Sequence, residues 1–399
     1  MTTRPLAAPR AETPADATSP VPPRQRILLV TPVSPANVSS GSGQRTALML
    51  EALETCGPVD VLHLMPGAAL HVGAAATGPA LPGGGRLVEA FAPEKPLVGR
   101  YRPQPALTRA VEGALGCTLA DYDVVVGRYA WGVCQLEVPA GVRIVADLDD
   151  FRYRYGPQAP WSLETLKERA RKWMAHALLR RQLHRFDSVF FVSPLDQREQ
   201  PQVTSVLLPN IPFAIPPLAA PRTATTKNVL FVGSLWYRPN AEGIDWLLRH
   251  VWPRVRREVP DATLTLVGAA PAATREAWAA HPGVRAPGFV DDLAQAYADA
   301  SLVVVPIHSG GGTNIKVLEA LAYARPCLIS DFTYSGFETL LESTRDLLVA
   351  QDPEQFVAHC LDVLRDPGPY LSMALQGRAA VLNHFNASTF RSLILKSLA

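Results

Sequence analysis

Residues 306–330, PIHSGGGTNIKVLEALAYARPCLIS, hold the spacing in this chain that points most directly to chemistry. An apolar strand over 302–307 runs into Gly310, Gly311 and Gly312, and a helix opens near Thr313. The first N–H groups of a helix have no partner within it, and its aligned peptide dipoles leave positive charge at that end. Glycine adds close approach, because no Cβ stands between backbone and ligand. Such a strand, turn and helix start form an anion cradle suited to a diphosphate. Thr313 caps the helix in this reading, and Asn314 stands beside it. Lys316 can bring a full positive charge beside a phosphate. Glu319, one turn further, can accept hydrogen bonds from ribose hydroxyls. A tight turn alone would explain the glycines, and the two uses are compatible.

Two further clusters could take part. Gly41-Ser-Gly43-Gln-Arg45-Thr46 follows the first apolar strand and opens a helix. It lacks the first glycine and the lysine of a P-loop. Gly43 and Arg45 are therefore expected at the edge of a cleft, near an acceptor or the diphosphate, with an ordinary strand–helix turn as the plain alternative. Asp147-Leu148-Asp149-Asp150 follows another apolar strand. Three carboxylates in four residues could hold a divalent metal, position an acceptor or cap a helix. Asp149 is the expected catalytic member, with Asp147 and Asp150 on the acceptor side and no metal.

The elements that must position these residues alternate. Apolar runs at 26–31, 59–65, 123–126, 143–146 and 188–192 read as strands with helices between most of them. The pattern restarts with strands at 229–232, 263–267, 303–306, 327–330 and 347–349. Helices fall near 241–258, 272–280, 292–300, 314–324 and 353–365. Alternating β and α at this spacing means parallel sheets covered on both faces. The chain divides into a tail (1–24), a Rossmann-like domain (25–208), a linker (209–226), a second Rossmann-like domain (227–385) and a closing helix (386–399). The tail has six prolines and reads as disordered; the linker has five. Residues 61–85 carry no Asp, Glu, Lys or Arg but three prolines and six glycines, which predicts a long mobile loop rather than a membrane span.

Bulk properties exclude several classes. A formal charge of +2 over 399 residues gives no reason to expect nucleic acid. Five scattered cysteines form no C-x-x-C pair, which argues against a zinc site or a disulfide frame and suits a cytoplasmic location. From Lys167 to Arg185 seven Lys/Arg face one glutamate, with Trp173 and Met174 among them. That helix, over 162–186, is either a solvated face or a peripheral contact with anionic membrane.

With the glycine triplet, Lys316, Glu319 and Pro326 in place, the C-terminal half resembles a GT-B glycosyltransferase of the GT4 type. Residues 231–240, FVGSLWYRPN, and 288–293, GFVDDL, followed by Tyr297 and Ala300, extend the resemblance over about 228–365. Residues 41–45, 147–150 and 186–193 extend it more loosely. The resemblance implies two doubly wound domains facing each other across a cleft, and retaining transfer of a sugar from a nucleotide-diphosphate donor without metal or other cofactor. The donor would lie on Gly233, Arg238, His308, Gly310–Gly312, Thr313, Asn314, Lys316 and Glu319, and a glycan or lipid-linked acceptor on the N-terminal half. Glu319 matches the second of the family's two spaced glutamates. Gly311 stands where the first would be, as in the glycine-triplet branch. Ser234 and Pro239 replace a basic pair, so Lys316, Arg238 and His308 are left to neutralise the diphosphate. A nucleotide-sugar epimerase or a non-catalytic binding subunit on the same fold are the alternatives. A dinucleotide oxidoreductase is disfavoured, because Gly233 and Gly268 stand alone without G-x-G-x-x-G.

Overall fold

The computed structural model describes residues 25–398 except 39, 75–80, 82, 160–161, 213–214 and 218–225. The expected tail and much of the expected linker lie outside the described residues. Two sheets organise the rest. The first has eight strands in the order His71–Ala74, Leu87–Pro93, Val59–Gly67, Ile27–Thr31, Val124–Arg128, Arg143–Leu148, Ser188–Phe191 and Ser205–Leu207. All neighbours run parallel except His71–Ala74. The second has six parallel strands in the order Val284–Gly288, Thr263–Val267, Asn228–Val232, Leu302–Val305, Cys327–Ser330 and Leu348–Ala350.

The two central strands show why the sheets are parallel. Ile27–Thr31 is buried along its whole length, and Leu302–Val305 likewise. A strand apolar on both faces needs helices on both sides, and crossover helices supply them. In each sheet the first strand of the half is central and the order reverses beside it. Such a reversal opens a crevice at the strands' carboxyl ends, the usual ligand position in doubly wound sheets.

Helix starts follow local chemistry. Ser40 caps Gly41–Glu54 by accepting from the Gly43 N–H at 3.2 Å. Ser162 and Thr165 form a reciprocal capping box on Leu163–Arg180. Asp352 caps Pro353–Arg365, whose first residue is a proline, where a missing N–H costs nothing. The stretch predicted as one helix over 241–258 is two, Arg238–His250 and Trp252–Glu258, because Pro253 cannot donate into a continuing ladder. The loop predicted over 61–85 is strand as far as Gly67 and again at His71–Ala74, where pairing with Leu87–Pro93 outweighs glycine content. The C-terminal helix Ala387–Leu398 returns to the first sheet's half. Arg143 donates to the Leu398 and Ser397 carbonyls at 2.7 and 2.8 Å, and the Arg45 guanidinium lies 5.4 Å from the Phe390 ring centre.

Candidate functional site

The carboxyl ends of both sheets meet at the glycine triplet. Beyond Leu302–Val305 the chain enters a two-residue antiparallel ladder with the opposite half: Ser309 pairs with Tyr155 and Gly310 with Arg154. The Gly156 N–H donates to the His308 carbonyl at 2.7 Å, and Tyr153 Oη meets Ser309 Oγ at 3.2 Å. Gly310 and Gly312 have φ of 142° and 63°, which only glycine adopts without strain. The helix that follows, Ile315–Ala322, has Asn314 rather than Thr313 at its N-cap position, and among the described residues no side-chain cap hydrogen bond is made there. Thr313 Oγ1 instead accepts from Asn210 Nδ2 at 3.0 Å. The anion-binding end of the helix therefore faces the cleft without a side-chain plug.

Lys316 and Glu319 lie together on this helix, each partly buried. Burial pulls the Lys316 ammonium down to about 8, against the attraction of Glu319. Burial likewise raises Glu319, with Lys316 and Tyr297 working the other way. Lys316 Nζ donates to Asn314 Oδ1 at 3.0 Å, and Tyr297 Oη reaches Glu319 Oε2 at 3.5 Å. Gly233 leaves the room for the lysine stem: a Cβ there would sit 3.1 Å from Lys316 Cε. An unpaired cation and a carboxylate with a partly used oxygen, at a helix start, can take a diphosphate and its neighbouring hydroxyls.

The other two expected cations are committed elsewhere. The His308 ring packs edge-on against Trp246 at 4.5 Å, and burial lowers it to about 4, so it stands neutral. Arg238 pairs with Glu242 at 2.7 Å and with Glu168 of the opposite half. Neither reaches the triplet in this arrangement.

On the N-terminal side the structure corrects two placements. Arg45 and Asp147 are 2% and 0% exposed and do not face an acceptor. Arg45 Nη2 and Nε bond the Asp147 carboxylate at 2.6 and 2.9 Å, and Arg45 also reaches Asn210 and the Leu208 and Pro209 carbonyls. Arg128, fully buried, bonds Asp147 and, at 3.0 Å, Asp149. Burial alone would raise Asp147; the two guanidinium groups hold it below its usual value. Gly43 is needed for its own turn, since a Cβ would lie 1.6 Å from the Asn37 carbonyl oxygen. Asp147 and Asp149 thus answer arginines first, and among the described residues no group of three or more His, Cys, Asp or Glu is placed to hold a metal ion.

The last two residues of that acidic run reach the triplet. The Asp149 carbonyl lies 2.3 Å from where a Cβ on Gly312 would stand, and Asp150 Oδ1 lies 1.5 Å from the corresponding point on Gly311. Asp149 Oδ1 is buried and unbonded among the described residues. Asp150 is exposed at the cleft, yet desolvation by the cleft walls, and then the Asp149 charge, raise it to about 6. A cavity of about 40 Å³ remains beside the glycines, lined also by Arg154, Tyr237 and Asn314. That is room for a few waters.

Sequence reasoning missed Arg128, Tyr129 and Tyr237. Arg128 carried a signal, a lone charge ending a fully apolar strand. Tyr129 has φ of 63°, costly for a residue with a Cβ, and its hydroxyl meets Ser42 Oγ at 2.7 Å. Tyr237 had no distinguishing context beyond lying in the loop after a donor-half strand.

Residues 226–366 match the family model described as Glycosyl transferases group 1. The chain is similar to sucrose-phosphate synthase from Thermosynechococcus elongatus, with TM-score 0.68 and 19% identity over 94% of this chain and 98% of that one. It is also similar to an Escherichia coli trehalose-6-phosphate protein bound with UDP-2-fluoro glucose (TM-score 0.61, 12% identity, 93% and 98% covered). Anabaena HepE in complex with UDP and glucose gives TM-score 0.58 and 14% identity, with 94% and 99% covered. The fold is GT-B. In sequence, 26% identity over 179 residues links the chain to an uncharacterized 44.6 kDa protein in the cps region of Klebsiella pneumoniae. That match spans 42% of this chain and 45% of the relative.

Proposed function

We propose that this protein is a retaining, metal-independent glycosyltransferase of the GT4 type that moves a sugar from a nucleotide diphosphate to a glycan or lipid-linked acceptor. The observation that carries the reading is the uncapped start of Ile315–Ala322, with Lys316 and Glu319 beside it, at the order reversal of the second sheet. The family match over the same residues and the cleft-facing N-terminal half support it. The triplet and helix N–H groups hold the diphosphate, Lys316 offsets the charge that grows on it as the sugar departs, and Glu319 holds the ribose. Closure of the halves then excludes water from the sugar. The similarity to a cps-region protein favours a polysaccharide or glycoconjugate product.

No helix of the described residues is long and apolar enough to cross a membrane. The helix Leu163–Arg180 turns Trp173 and Met174 outward, 70% and 47% exposed, among its basic residues. In the proposed reading this face meets anionic lipid, where a lipid-linked acceptor waits. Ligand-observed titration with UDP, GDP, ADP and their glucose or mannose derivatives tests the core claim. Micromolar binding of one pair and its slow hydrolysis are expected. Binding without donor turnover would leave a binding subunit, and an altered sugar nucleotide without acceptor would indicate an epimerase.

A further inference from the structure

The glycine at position 311 has no backbone reason to be glycine. Gly310 and Gly312 on either side hold left-handed φ values, and Gly311 does not. What forbids a side chain there is the opposite half of the molecule: Asp150 Oδ1 occupies the place a Cβ would take, at 1.5 Å. The carboxylate is delivered by a run of pairings in step with one another. Arg154 and Tyr155 ladder onto Gly310 and Ser309, the Arg152 carbonyl passes 3.3 Å from the Gly311 Cβ position, and the Asp149 carbonyl seats over Gly312. Unlike Asp147, which two arginines neutralise, Asp150 makes no hydrogen bond or ion pair within 4.0 Å among the described residues. The cation that draws on it, Lys172, is engaged over the Tyr153 ring at 3.5 Å and beside Glu168 at 3.8 Å. An unspent carboxylate held over a glycine of the phosphate cradle has one natural occupant to meet. A donor whose phosphates lie on the triplet and whose ribose turns toward Glu319 must place its sugar on the other side, against 311.

We infer that Asp150 is the sugar-binding carboxylate of this site, supplied across the cleft by the N-terminal half, accepting hydrogen bonds from hydroxyls of the donor sugar as the halves close. The inference rests on the transferase reading above. In the transfer, the bond from the anomeric carbon to the diphosphate oxygen breaks and its electron pair leaves with the diphosphate. The acceptor oxygen forms the new bond, and its proton passes to the departing phosphate oxygen. Asp150 exchanges no proton; it orients the ring, and its negative charge favours the electron-poor anomeric carbon. Because contact requires both halves, only a closed molecule reads the sugar.

The test uses the full chain and whichever pair binds it among UDP with UDP-glucose, GDP with GDP-mannose and ADP with ADP-glucose. Asp150→Asn keeps nucleotide-diphosphate affinity within about twofold, loses the added affinity for the sugar nucleotide, and slows its hydrolysis at least fiftyfold. The acid limb of the wild-type rate, near pH 6, disappears in this variant. Gly311→Glu alone is inactive through collision with Asp150. Combined with Asp150→Gly it recovers at least tenfold over Asp150→Gly alone, because the carboxylate is restored from the other side. Thermal unfolding followed by circular dichroism separates lost fold from lost chemistry. Hydrolysis by Asp150→Asn at the wild-type rate overturns the inference and leaves the transferase reading standing. Failure of the wild-type chain to bind any of the six probes overturns both.

Discussion

Each half of the molecule places a charged cluster at the carboxyl ends of its central strands, and the two clusters are built to opposite ends. In the N-terminal half Arg45, Arg128, Asp147 and Asp149 neutralise one another, Arg45 meeting Asp147 at 2.6 Å and Arg128 bonding both Asp147 and, at 3.0 Å, Asp149. In the C-terminal half Lys316 turns to the neutral Asn314, and among the described residues Glu319 has only a long bond to Tyr297. Burial shifts the second pair toward neutrality instead of locking it charged. Saturated charge makes a frame, and unsaturated charge makes a site. The contrast also separates aspartates that are three residues apart in sequence: two arginines hold Asp147, and Asp150 has no hydrogen-bond or ion-pair partner among the described residues.

Substitutions can break this contrast, and the largest effect should fall on the frame. Asp147→Ala leaves the buried Arg45 guanidinium without a carboxylate and Arg128 with Asp149 alone, and should cost about 3–5 kcal/mol of stability, read by urea unfolding. If it costs less than about 1 kcal/mol, the buried cluster is not the frame described. Lys316→Ala and Glu319→Ala should behave the other way round. Each should weaken nucleotide binding or turnover at least about tenfold, roughly 1.4 kcal/mol, while the unfolding midpoint stays level or rises. Near-normal titrations for both would remove the donor site from this helix.

Acidity sharpens the same comparison. Lys316 is charged below about 8, so wild-type nucleotide affinity should fall as the pH rises through that value, and Lys316→Ala should show no such step. His308 works on stability. Its folded value of about 4 lies below the ordinary 6.5, so the unfolded chain binds the extra proton between them. Stability is complete above about 6.5 and drains away as the pH falls toward 4. Replacing His308 with Phe should flatten that part of the pH–stability curve. The smallest effect belongs to the seam's outer edge: Arg238 is 42% exposed, and Arg238→Ala should cost under about 1 kcal/mol in the same unfolding assay.

Much of the architecture was legible in sequence because apolar runs buried on both faces have few alternatives. Thr263–Val267, Cys327–Ser330 and Pro353–Arg365 lie where their patterns put them. Strands held by pairing rather than composition were not legible. Val284–Gly288 contains a proline, and Ser309–Gly310 with Arg154–Tyr155 has no apolar pattern at all. Within the proposed site, residue type and spacing single out the triplet, Lys316 and Glu319. Direction was the missing quantity: in a strand covered on both sides, alternation does not tell which carboxylate meets an arginine and which meets a cleft. The match of Asp150 to Gly311 joins positions 161 residues apart in the chain and leaves no trace in either segment alone.

The seam between the halves has a consequence for the rate of ligand entry. It is fastened by the short ladder at Ser309–Gly310, the Gly156–His308 bond, Asn210 to Thr313 and Arg238 to Glu168. Each such polar contact is replaced by water when it parts, so its net hold is of order 1 kcal/mol. A handful of them makes the parted form a minor species rather than an absent one. Ligand then enters through the parted fraction, so loosening a single fastener should speed nucleotide entry without touching the ligand.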